Sequence, residues 1–178
     1  MKRIIFTGAQ GTGKSTILNY FKDKGMNCIT EVVRNLSKEG IKINELGDEE
    51  GQQKIFNTYA ELLSEQKDYI SDRGLTDVLS YTNYLMKEGS VSIQFGVNQY
   101  IDLISFLQNN PDVIYCYFPI EFGVVDDGVR STNEEFRNYI DVQIKAILDR
   151  YVRDYYTITG TVNDRIKQIE SILTEENY

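Results

Sequence analysis

Eight consecutive residues near the start of the chain, Gly8-Ala9-Gln10-Gly11-Thr12-Gly13-Lys14-Ser15, follow the pattern G-x-x-x-x-G-K-[ST], with Thr16 directly after it. Glycines let such a loop turn its backbone N–H groups inward around phosphate oxygens, and a helix opening near Lys14 adds the positive end of its dipole. Lys14 is expected to reach the β- and γ-phosphates of a nucleoside triphosphate, and the Ser15 hydroxyl to ligate Mg²⁺. Gly8, Gln10, Gly11, Thr12, Gly13, Lys14, Ser15 and Thr16 are therefore the expected nucleotide-binding set. The alternative is a glycine-rich turn that merely closes a strand-helix corner. It is disfavoured by the apolar run Ile4-Ile5-Phe6 directly before the motif.

Histidine is absent from the whole chain, which removes the commonest general base and the commonest transition-metal ligand. A proton acceptor must then be a carboxylate. Two acidic positions stand out by their neighbours: Asp72 in Asp72-Arg73-Gly74, and Glu31 in Glu31-Val32-Val33-Arg34. These are the candidates for catalytic base and metal anchor, with Glu31 ranked as base and Asp72 as magnesium partner. Arg34 and Arg73 are expected to touch the acceptor. The plainer readings remain open: an acid-arginine pair that caps a helix, and a Glu31 that is only surface charge.

Short apolar runs alternate with longer periodic stretches, the pattern of an α/β fold with a parallel sheet. Strands are predicted over 3–7, 26–30, 68–71, 113–118 and 155–158, and helices over 14–24, 31–38, 49–66, 76–87, 97–107, 133–153 and 162–173. Ile140, Ile144, Ile147, Leu148 and Tyr151 mark a core-facing stripe. In an open parallel sheet the functional crevice lies beyond the carboxyl ends of the strands, so Gly8, Glu31 and Asp72 should converge there. The stretch 119–132 lacks periodicity, lies between a strand and a helix, and reads as a lid. No repeat or linker divides the 178 residues, so one domain is expected.

The chain is 41% hydrophobic and 26% charged, which excludes disorder and collagen-like repeats. Its net charge of −8 disfavours long nucleic acid as a partner. No apolar run approaches bilayer length, the amino terminus lacks a signal-peptide pattern, and a cytoplasmic location without membrane attachment is expected. Cys28 and Cys116 sit in apolar stretches, as free buried cysteines do.

The Asp72-Arg73 pair resembles the P-loop nucleoside and nucleotide kinases, in which the acid serves magnesium or the attacking hydroxyl and the arginine grips substrate. Further along, Val125-Asp126-Asp127-Gly128-Val129-Arg130 leads into a helix with Arg137, followed by Ile158-Thr159-Gly160 and Arg165. With the P-loop and Glu31-Val32-Val33-Arg34, this set resembles the NadR-like group of AAA-type P-loop proteins. The group includes the ribosylnicotinamide kinase domain of bacterial NadR proteins and phage-encoded members.

The resemblance implies a P-loop NTPase fold of nucleotide-kinase type, with five parallel strands, flanking helices and a lid. It also implies ATP and Mg²⁺ as cofactors. By the same resemblance Arg130, beside Asp126 and Asp127, would neutralise charge on the transferring phosphoryl group, Arg137 would help, and Thr159 and Gly160 would seat adenine. The usual ribosylnicotinamide kinases carry a tryptophan before Asp-Asp-Gly, and this chain has none, which sets the nicotinamide substrate apart from the phosphate chemistry.

A kinase acting on a nucleoside, nucleotide or related small molecule is thus expected. Two alternatives remain: a nucleotide-dependent binding or switch ATPase, and a polynucleotide or modified-base kinase. The first would label no small acceptor, and the second needs a basic channel for its strand. Guanine-reading Asn-Lys-x-Asp is absent, and the strand that ends Tyr117-Phe118-Pro119 lacks the acid of motor ATPases.

Overall fold

The computed structural model describes residues 2–123 and 133–175. Five strands, β1 (Arg3–Thr7), β2 (Cys28–Ile29), β3 (Tyr69–Asp72), β4 (Ile114–Tyr117) and β5 (Tyr156–Thr157), form one sheet in the order β2-β3-β1-β4-β5. Every pairing is parallel, with Ile5 beside Ser71 on one side and Tyr115 on the other. The α/β expectation is met.

β1 explains the layering. Its side chains alternate across the sheet, and both faces are buried, so its sequence reads as a continuous apolar run. Ile4 and Phe6 join Ile17, Leu18 and Phe21 of α1 (Lys14–Asp23) and Ile169 and Ile172 of α7 (Val162–Thr174). Ile5 faces the larger layer, built by α2 (Val32–Lys38), α3 (Glu49–Glu65), α4 (Leu75–Lys87), α5 (Ile93–Asn109) and α6 (Glu134–Ile147). The expected stripe of α6 is in that core, with Ile140, Ile144, Ile147 and Leu148 all at 2% exposure or less. Cys116 is buried and Cys28 half-buried, both as free thiols.

Several boundaries differ from the sequence reading. α5 opens four residues earlier than expected because the Ser92 hydroxyl caps it, accepting from the Phe95 N–H at 3.2 Å. α6 stops at Ile147 and passes into a π-helical turn, Leu148–Val152, which ends at Arg153 with φ of 69°. β2 shrinks to two residues, and a 3₁₀ turn, Asn44–Leu46, was not expected. No helix among the described residues is long and apolar enough to cross a membrane.

Candidate functional site

The glycine loop joins β1 to α1. Gly8, Gly11 and Gly13 have φ of 147°, 69° and 86°, values that side chains with a Cβ rarely adopt. At Gly8 the constraint is also steric, since a Cβ there would lie 2.4 Å from the Phe118 carbonyl oxygen at the end of β4.

Two arginines, each at 2% exposure or less, hold the outer side of the loop. Arg137 donates through Nε to the Gln10 carbonyl at 2.9 Å, and through Nη2 to the Gly11 and Phe122 carbonyls at 3.4 and 2.7 Å. Arg165 donates to the Thr12 carbonyl at 2.6 Å, to the Gly160 carbonyl at 2.9 Å, and to the Glu121 carboxylate. A trans peptide points its C=O and the following N–H in opposite directions. Carbonyls turned onto buried guanidinium groups therefore turn the N–H groups of Gly11, Thr12 and Gly13 away from them. The result is a nest of donors suited to an anion.

Lys14 is 4% exposed, and its ammonium donates to the Gly8 and Ala9 carbonyls, both at 2.7 Å, and to the Thr12 hydroxyl at 3.1 Å. The next residue meets the end of β3: the Ser15 hydroxyl donates to Asp72 Oδ2 at 3.0 Å. Asp72 Oδ1 is buried and has no hydrogen-bond partner, while Tyr59 donates to the Asp72 main-chain carbonyl at 3.0 Å. No group of three or more His, Cys, Asp or Glu side chains among the described residues could hold a metal by itself. One hydroxyl and one carboxylate oxygen fit a hard cation that takes its other ligands from phosphate and water, as Mg²⁺ does.

Glu31 caps α2 with a left-handed backbone, φ 61°, and pairs with Arg34 Nε at 2.5 Å. Arg73 is also left-handed, φ 80°; its guanidinium lies 5.4 Å from the Tyr81 ring centre, and Nη1 lies 3.6 Å from Asp77. Glu31, Arg34, Asp72 and Arg73 line one cleft with residues 10–16 of the loop. A smaller pocket adjoins it, walled by Val33, Ile43, Tyr59 and Tyr81, with the Asn44 and Gln52 amides, Arg73 and Asp77 as polar groups.

Other expected residues lie elsewhere. Arg137, expected to help at the phosphates from the lid, belongs to α6 and turns its donors onto loop carbonyls. A buried side chain committed to the outer side of the loop is a brace. Thr159 and Gly160 follow β5 outside the cleft lining, where the Gln168 amide clasps the Thr159 main chain at 2.8 and 3.3 Å and Glu121 accepts from the Gly160 N–H. Arg165 links that turn to Thr12. Asp126, Asp127 and Arg130 lie outside the described residues.

Asp77, which the sequence reading passed over, is 1% exposed and accepts from the Gly8 N–H at 3.2 Å and the Gly74 N–H at 3.1 Å. Burial pushes its carboxyl pKa up, while Arg73 and Lys14 pull it down. It ties the first glycine of the loop to the start of α4. Its signal was present in the sequence, as an acid at the third helical position after Gly74. Asp141 of α6, also pushed up by burial, accepts from the Tyr117 hydroxyl at 2.9 Å.

A model of a family described as an AAA domain matches residues 3–165. Comparison with curated proteins gives no match. Among solved structures, deoxyadenosine kinase from M. mycoides, with dCMP and dCDP, shares 19% identity over 96% of this chain and 97% of its own, with a TM-score of 0.64. A NadR protein in complex with NR shares 11% identity with a TM-score of 0.76; the match covers 96% of this chain but only 50% of the NadR chain. Thymidylate kinase from Ehrlichia chaffeensis shares 18% identity over 98% of both chains, with a TM-score of 0.55. These likenesses are likenesses of fold. The family match spans most of the sequence and takes in both the loop and its Arg165 brace, and on that ground the chain belongs to the AAA domain family.

Proposed function

We propose that the chain is a phosphotransferase that moves the γ-phosphoryl of Mg-ATP to a hydroxyl or phosphate of a nucleoside, nucleotide or related small molecule. The observation that carries this reading is the single cleft shared by the loop, the Ser15–Asp72 pair, Glu31–Arg34 and Arg73. The deoxyadenosine kinase of similar fold, with dCMP and dCDP bound, supports the same reading.

In this account the loop N–H groups and Lys14 hold the β- and γ-phosphates. Ser15 and Asp72 hold Mg²⁺, which supplies charge neutralisation when bound. The acceptor sits in the adjoining pocket, with its ring between the apolar walls and its polar edge at Asn44, Gln52 and Arg73. Its hydroxyl oxygen bonds to the γ-phosphorus as the bond to the ADP oxygen breaks. ADP leaves with the electron pair, and Glu31 takes the hydroxyl proton. Arg130 contributes positive charge to the transferring group, with Arg130→Ala lowering kcat more than it weakens ATP binding.

Labelled ATP with a panel of nucleosides, nucleoside monophosphates and ribosylnicotinamide tests the reading. Transfer of the label to one class of acceptor is expected. Release of labelled inorganic phosphate alone, whatever the acceptor, would favour a nucleotide-driven switch instead.

A further inference from the structure

One helix carries a second apolar face that the fold leaves uncovered. α5 buries Gly96, Gln99, Leu103 and Phe106. Its outer side presents Ile93, Val97, Ile101 and Ile104, which are 76%, 46%, 59% and 37% exposed. These are four of the nine large exposed hydrophobic side chains among the described residues, and the other five are scattered over five separate elements and loops. Scattered residues of that kind need no explanation, but a stripe on one helix marks a contact surface. A helix apolar on both sides is a helix buried on both sides.

Charge identifies what covers it. The chain carries −8 and is 26% charged, yet the 17 residues of α5 contain one charged side chain, Asp102. A lipid surface would select a basic rim, and α5 has no lysine or arginine. Two copies of an acidic chain repel each other everywhere except across a face that lacks charge, which is what α5 offers.

The polar residues also suit self-pairing. Gln94 and Asn98 form a row beside the apolar one, with the Gln94 amide donating to Asn98 at 3.0 Å, and Asp102 continues the row one turn on. An antiparallel two-fold centred near Val97 and Asn98 sets Ile93 against Ile101 of the partner subunit and the Gln94 amide beside Asp102 of the partner subunit. The groove between α3 and α5 is lined by Asn57, Ala60, Ser64, Ser105 and Asn109, small or neutral residues that admit close approach, with Asp102 as its one charged side chain. Face and groove together run about 25 Å by 20 Å, or ~500 Å² from each partner and ~1,000 Å² in all, the lower bound of a specific interface.

We propose that α5 is the interface of a two-fold homodimer of this chain. None of its exposed residues lines the phosphate cleft, so the dimer stands or falls independently of the phosphotransferase reading.

Sedimentation equilibrium of the full chain over a range of concentrations is the test. Wild type is expected at twice the 20.6 kDa chain mass. Ile101→Asp and Val97→Lys should each raise the dimer dissociation constant at least ~100-fold while far-ultraviolet circular dichroism is unchanged. Val142→Asp, at the isolated apolar residue on α6 with 62% exposure, should leave the dimer intact. A wild-type monomer up to the solubility limit would overturn the proposal, and so would a dimer that survives both α5 substitutions.

Discussion

Lys14 shares its ammonium among three oxygens of its own loop, two of them main-chain carbonyls. A polyphosphate in the nest is a denser acceptor than neutral carbonyls, so the same ammonium can turn to it at little cost in reorganisation. Lys14→Ala is expected to cut turnover by about 10²–10³ or more, the usual effect of losing one preorganised donor. Steady-state transfer assays check it. The two carboxylates should separate by role. If Asp72 and Ser15 hold the metal as proposed, Asp72→Asn is expected to raise the Mg²⁺ concentration for half-maximal rate. Glu31→Gln lowers kcat with that requirement unchanged. A magnesium requirement that shifts on Glu31→Gln and not on Asp72→Asn would reverse the assignment.

The glycine loop was legible at the level of elements because its pattern is local: a strand, a turn and a helix start are read from one window of sequence. Convergence of Glu31, Asp72 and the loop was legible too, because parallel strands bring their carboxyl ends to one edge. Asp77 was passed over and the loop contacts of Arg137 were not foreseen, for a shared reason. The contacts that tie them to the loop, Gly8 N–H for Asp77 and Gln10 C=O for Arg137, span 69 and 127 residues, and no spacing rule reports such a contact. An arginine near a phosphate loop suggests phosphate, whereas this one is spent on the carbonyls that shape the loop. Asp77→Asn keeps the volume but puts a donor where an acceptor is needed, and leaves Arg73 without its nearest carboxylate. The expected cost is about 2–4 kcal/mol of stability, checked by denaturant unfolding. Transfer activity should fall with it, because the loop loses its tie to α4. Gly8→Ala is expected to be worse at this scale, since Phe118 cannot retreat without moving β4.

Across the whole molecule the charge balance sets the pH response. Arg3 holds the Asp112 carboxyl below the usual range, Lys145 and Tyr155 do so for Asp149, and Lys24 and Tyr20 for Glu170. Each adds stability that is present above the ordinary carboxylate pKa, about 4, and lost as pH falls through the depressed value. Asp77 and Asp141, raised by burial, act in the opposite sense: their contribution is largest at low pH and is lost as pH rises through the raised values. The melting temperature is expected to fall from about pH 5 to pH 3, followed by calorimetry, because the lowered group is the larger.

The claim on which the account depends is the phosphate site itself, and thermal unfolding with and without Mg-ATP tests it most directly. At a nucleotide concentration of ~100 Kd the native state gains about 2.7 kcal/mol, which for a chain of this size is a rise of roughly 5–10 °C. Wild type should show that rise and Lys14→Ala most of its loss. A wild-type melting temperature that does not move at saturating Mg-ATP would contradict the account.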